Sequence, residues 1–88
     1  MKGIRIESID GNTYSAPDSN GIVEALRRKA WGGTESAGLR GYMKQVAKRI
    51  FDWNNARIRI SGCRVFLQDL ARHGIIRVLA DTNGELKS

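Results

Sequence analysis

Arg40, Lys44 and Lys48 recur every four residues, Arg49 follows directly, and no acidic residue interrupts the run before Asp52. At helical spacing these like charges lie one turn apart and repel, costing about 0.2–0.5 kcal/mol per pair. A helix shaped only for its own stability would mix signs there. The chemistry such a row can do is to hold an anion, either phosphate oxygens or carboxylates. A solvated basic face is the plainer reading and stays open beside it. Further along, Arg64, Gln68 and Arg72 also lie four apart, with Arg57, Arg59 and Arg77 on either side of them.

Covalent and metal chemistry find little support in the residue types. His73 is the only histidine and Cys63 the only cysteine. Both fall on one expected helix, about 15 Å apart along its axis, so they cannot hydrogen-bond as a nucleophile pair. One cysteine and one histidine make no structural zinc site. His73 beside Gly74 suits a helix C-terminus, where a protonated imidazole favours the dipole. The carboxylates are scattered singly, and Gly32-Gly33 lacks the pattern of a phosphate loop. The expectation is a non-enzymatic chain with no cofactor and no metal.

The elements that must carry these side chains belong to one small domain, since 88 residues support one core. Hydrophobic content of 41% and a single proline argue against low-complexity disorder. Net charge is +6, and it is uneven: residues 21–54 and 55–79 each carry +4, while both ends of the chain are slightly acidic. An unpaired cysteine and the lack of a signal peptide favour a reducing, cytoplasmic setting. No apolar run approaches the roughly 20 residues that span a bilayer, so no membrane partner is expected.

Alternation at Ile4 and Ile6, the Asp10-Gly11-Asn12 turn and the return through Thr13–Ser15 predict a β-hairpin over residues 1–16. Pro17–Asn20 offers N-caps for a first helix over 19–31, with Ile22, Val23, Ala25 and Leu26 inward. Arg27, Arg28 and Lys29 spread round it, so at least one must pack its stem at the core edge. Gly32-Gly33 ends that helix. A second helix, 35–53, opens near Thr34–Ser36. Asn54-Asn55 turns the chain into a strand over 57–60, isoleucines in and arginines out. Ser61 caps a third helix, 62–73, whose apolar stripe is Cys63, Phe66, Leu67, Leu70 and Ala71. Gly74 stops it ahead of a buried strand over 75–79, and residues 80–88 form either a wing or a frayed tail. Tyr14, Trp31, Tyr42, Phe51, Trp53 and Phe66 are expected as anchors at or near the core.

The stretch Phe66-Leu-Gln-Asp-Leu-Ala-Arg-His-Gly-Ile-Ile-Arg-Val, followed by Asp81-Thr82-Asn83-Gly84, resembles the later part of winged-helix DNA-binding domains. In that family a leucine-rich recognition helix ends in glycine and aliphatics and leads into a β-hairpin wing. The resemblance covers residues 40–87, with an N-terminal hairpin standing where the family has a helical start. It implies that Arg64, Gln68 and Arg72 face the major groove, where arginine and glutamine suit guanine and adenine edges. Arg57, Arg59 and Arg77 would then contact phosphates, extended by Lys44, Lys48 and Arg49. The competing architecture is an α/β sandwich in which residues 57–60, 75–79 and the N-terminal hairpin share one sheet.

The expected fold is therefore α/β (α+β), with three helices and a small, mostly antiparallel sheet. The expected function is binding of an anionic macromolecule, DNA first, with Arg40 and the residues named above as the contact set. The alternative is a protein-binding adaptor or inhibitor of nucleic-acid machinery, as phage-encoded anti-defence proteins are. Homodimerisation could accompany either role, through a strand edge or through Trp31 and Trp53.

Overall fold

Alternating isoleucines and a Gly11 at φ 90° make the first element a hairpin. In the computed structural model, which describes residues 3–29, 38–82, 84 and 86, β1 (Ile4–Ser8) pairs antiparallel with β2 (Thr13–Ala16). Two backbone bonds close the turn, Ser8 N–H to Asn12 O at 2.8 Å and Gly11 N–H to Ser8 O at 2.9 Å. The buried Ser8 hydroxyl adds bonds to the Asp10 carboxylate and to Asn12 O.

Helix α1 (Ser19–Arg28) starts where the Asp18 carboxylate accepts from the Gly21 N–H at 2.8 Å. Ile22, Val23 and Leu26 point into the core. Arg27 is the half-buried member of the basic run, and it pairs with Glu24, as Arg28 does more loosely. The helix ends at Arg28, short of the expected residue 31. Ala30, Trp31, Gly32-Gly33 and the Thr34–Ser36 cap lie outside the described residues.

Helix α2 (Leu39–Asn54) buries Tyr42, Met43, Val46 and Ile50, and ends on Asn55 in the left-handed conformation, φ 56°. Two expected anchors do not join that stripe. Phe51 is 43% exposed and Trp53 67%. At about 100° per residue Phe51 lies roughly 140° from Val46, on the outer face. Trp53 is in line with Val46, but it lies beyond Ile50, the last buried side chain of the helix. The stripe continues past the core that would cover it.

Residues 57–60 form no strand, which corrects the sequence reading and removes them from the shared sheet. Their alternation survives in burial alone: Ala56 and Ile58 are inside, Arg57 and Arg59 outside. The Arg59 N–H goes to the Asp69 carboxylate at 2.8 Å, not to a ladder partner. Helix α3 (Cys63–Arg72) has Gly62 at its N-cap with no side-chain cap, so Ser61 does not serve as one. Cys63, Phe66, Leu67 and Leu70 are buried as the spacing demands. The helix stops in a Schellman turn, with Gly74 N–H on Ala71 O at 3.1 Å and Ile75 N–H on Leu70 O at 2.9 Å. Gly74 sits there at φ 75°.

Strand β3 (Ile76–Asp81) then pairs antiparallel with β1, giving the order β2-β1-β3. It begins and ends later than the expected 75–79. It is also less buried than expected: Ile76 is inside, but a register shift opposite Arg5 and Ile6 leaves Leu79 between paired residues and 43% exposed. No return strand follows among the described residues, although Asn83 lies outside them. Thr82 N–H bonds Gly3 O at 3.0 Å, and Leu86 turns back into the core with its N–H on the Asp81 carboxylate at 2.9 Å.

The result is a single α+β domain in two layers. Helices α1 and α3 pack on the sheet, and α1 lies at the centre, touching the sheet, α2 and α3. Arg5, Glu7, Thr13, Ser15 and Arg77 line the uncovered face. No described helix is long and apolar enough to cross a membrane.

Candidate nucleic-acid interface

The expected contact residues separate into three groups. Arg40, Lys44, Lys48 and Arg49 are all exposed on α2. No carboxylate pairs with them in the ion pairs of the described residues, which join Glu24 to Arg27 and Arg28 and Asp69 to Arg59. Among the described residues no ion pair relieves the repulsion inferred from spacing.

The second group is built on α3. Arg64 and Arg72 are exposed, and Gln68 between them is half-buried. Arg57 and Arg59 project from the segment that lies alongside. Arg59 has a further role. Its Nε donates to Asp69 Oδ2 at 3.0 Å and its Nη2 to Oδ1 at 2.9 Å, a bidentate pair completed by its own backbone N–H. The Asp69 side chain is only 5% exposed, while the Arg59 side chain is 57% exposed. Hydrogen bonding from the guanidinium holds the Asp69 carboxyl below its ordinary value against the opposing effect of burial, with the charge of Arg72 a smaller contribution. The same bond raises the Arg59 guanidinium. Arg59 therefore first fixes the 56–60 segment to α3, and part of its charge is cancelled there.

Arg77 does not belong with either group. It stands across from Glu7 on the uncovered sheet face, in the layer opposite the helices. A ligand lying on α3 and one lying on Arg77 would meet different sides of the molecule. Helices α2 and α3 each pack against α1.

Spacing did not point to two residues that matter here. Asp69 reads as an ordinary helix acid, because its partner is ten residues upstream in another element. Trp53 reads as core, because it is in phase with the α2 stripe. It instead borders a shallow hollow of about 550 Å³ with Gln45, Lys48, Arg49 and Asp52. A second hollow, at the sheet end between Gly3–Arg5, Ser15–Pro17, Ala80 and Thr82, has Arg5 as its charged lining residue and no nucleophile stronger than Ser15 or Thr82.

Cys63 and His73 sit at opposite ends of α3, the thiol buried and the imidazole exposed. Burial, and secondarily the charge of Asp18, raises the Cys63 thiol above its ordinary value. Among the described residues no cluster of three His, Cys, Asp or Glu side chains could hold a metal ion.

Compared with protein-family models, curated proteins and solved structures, the chain matches none.

Proposed function

We propose that this protein is a non-enzymatic nucleic-acid-binding domain, with DNA the first candidate, that meets its ligand through the helical layer. One observation carries the reading: four cations on α2 stand exposed with no carboxylate ion-paired to them among the described residues. They hold a charge density that an anionic backbone would neutralise with release of counterions. Arg64, Gln68 and Arg72 on α3 supply side chains able to read base edges, as the winged-helix resemblance implies. Arg57 adds a phosphate contact, and Arg59 contributes what its clamp on Asp69 leaves over. Arg77 contributes little, because it lies on the other layer.

The rival reading, a protein-binding adaptor or inhibitor, calls for a continuous apolar patch with a charged rim. Among the described residues the large exposed apolar side chains are Ile9, Phe51, Trp53 and Leu79. They belong to three separate parts of the fold, the hairpin turn, α2 and β3. Singly exposed apolar side chains are ordinary on a protein surface.

The test is a titration of labelled random duplex DNA at 50 and 200 mM salt. If about five phosphates are neutralised, the slope of log K on log salt is about −4.5 and the affinity falls about 500-fold between the two salts. Absence of binding at 50 mM overturns the reading and sends the search to protein partners.

A further inference from the structure

Trp53 is the most exposed large apolar side chain among the described residues, at 67%. Two adjacent i,i+4 rows of α2 lie on one side of it, and the buried Val46 and Ile50 lie on the other. Gln45, Arg49 and Trp53 form one, and Arg40, Lys44, Lys48 and Asp52 form the other. The hollow between them is lined by Gln45, Lys48, Arg49, Asp52 and Trp53, so every lining side chain except the indole is polar or charged. It is a shallow, open hollow of about 550 Å³, wide enough for a flat group to lie against the indole.

A protein–protein anchor is built differently. It puts an aromatic ring at the centre of a dry patch from which charged residues are depleted. Here the nearest exposed aromatic in sequence, Phe51, is roughly 160° away round the helix, too far to extend one apolar surface. An indole face with cations along one side suits a flat partner with a π-face whose connecting groups are negative. Unpaired bases on a phosphate backbone have that chemistry, and aromatic platforms beside basic tracks hold single strands in this way. From Arg40 to Trp53 the track runs about 20 Å at 1.5 Å per residue. Asp52 cannot hold a phosphate, but beside the indole it can accept from the exocyclic amino group of a stacked base.

We propose that the C-terminal half of α2 is a subsite for single-stranded nucleic acid, in which Trp53 stacks an unpaired base and Lys48, Arg49 and Lys44 hold the flanking phosphates. This rests on the nucleic-acid reading above and makes it more specific. A duplex would use the α2 cations and α3 without needing Trp53, since its bases are already stacked.

The test compares a labelled single-stranded 12-mer with a duplex of the same length, using anisotropy and, in a Trp31→Phe background where Trp53 is the only tryptophan, indole emission. The single strand is expected to quench Trp53 strongly. Trp53→Ala is expected to weaken single-strand binding about 5- to 100-fold and to leave duplex binding within about twofold, with Trp53→Phe retaining most of the affinity. Circular dichroism of each variant checks that the fold is intact. If Trp53→Ala weakens neither ligand, or both equally, the stacking subsite is overturned while nucleic-acid binding stands. If neither ligand binds at 50 mM salt, both readings fall. A dimer that Trp53→Ala dissociates while single-strand binding survives assigns the indole to a second copy of the chain and likewise overturns the subsite.

Discussion

Arg59 and Asp69 clamp two parts of the chain that no sheet joins. Three donors of Arg59, its backbone N–H, Nε and Nη2, converge on one buried carboxylate at 2.8, 3.0 and 2.9 Å. The clamp explains how the 56–60 segment keeps an alternating pattern of burial without a strand partner. It also holds Arg59 against α3 near Arg72, whose charge acts on the same carboxylate.

Asp69→Asn should destabilise the fold by about 1–3 kcal/mol at pH 7, toward the low end because the arginine side is open to water. Urea unfolding reads this as a lower midpoint at unchanged slope. The native carboxyl is depressed, so its contribution is present above the ordinary carboxylate value and is lost as pH falls through the native one. The variant should therefore lose less stability below pH about 4 than the parent does. Some acid dependence will persist, since Asp10 and Glu24 are depressed as well, by bonds from Ser8 and from Arg27. Equal acid sensitivity in the two proteins would remove the clamp from the stability account.

Charge removal on the two helices should separate affinity from selectivity. Lys44→Ala and Lys48→Ala are expected to weaken duplex binding uniformly across sequences and to reduce the salt slope by about 1 each. Arg64→Ala and Arg72→Ala should instead flatten any sequence preference, at about 1–3 kcal/mol for each base edge that is no longer read. Binding unaffected by both α3 substitutions would leave α2 as the contact surface and end the recognition-helix assignment.

The Cys63 thiol should react slowly while the protein is folded. It is buried and its thiolate is disfavoured by that burial. Iodoacetamide at pH 8 should label it much more slowly than a free thiol, with the rate rising through the urea transition. Fast labelling of the native protein would mean that the first turn of α3 opens readily.

Gly74→Ala should cost about 1–2 kcal/mol, because a side chain at φ 75° is strained whatever space surrounds it. Thermal melts should show this as a drop of several degrees for a domain of this size. A variant as stable as the parent would show that the α3 stop can relax to another turn.

Core and overhang should differ sharply on α2 and α3. Leu67→Ala, at a fully buried position, is expected to cost about 2–5 kcal/mol. Phe51→Ser, on the exposed face, should stay within about 0.5 kcal/mol of the parent. A large loss at Phe51 would place it in a contact that the described residues do not show.

Local rules account for much of what was legible in the chain. The hairpin, the Asp18 cap, the α3 stripe and the Gly74 stop each follow from residue types a few positions apart, which is the range over which backbone geometry and capping operate. The basic row on α2 was legible for the same reason, since i,i+4 spacing alone puts Arg40, Lys44 and Lys48 on one strip of the helix. Tertiary structure decided the rest. Whether Trp53 is core depends on where the neighbouring layer stops, and periodicity carries no information about that. Whether residues 57–60 find a strand partner depends on which elements lie beside them, and there the Arg59 N–H meets the Asp69 carboxylate of α3 and no strand. Whether Arg77 joins the other cations depends on the side of the sheet it occupies, and that was set by the pairing of β3 with β1, elements separated by most of the chain. Periodicity names the face a side chain takes on its own element. Only packing between elements decides what that face meets.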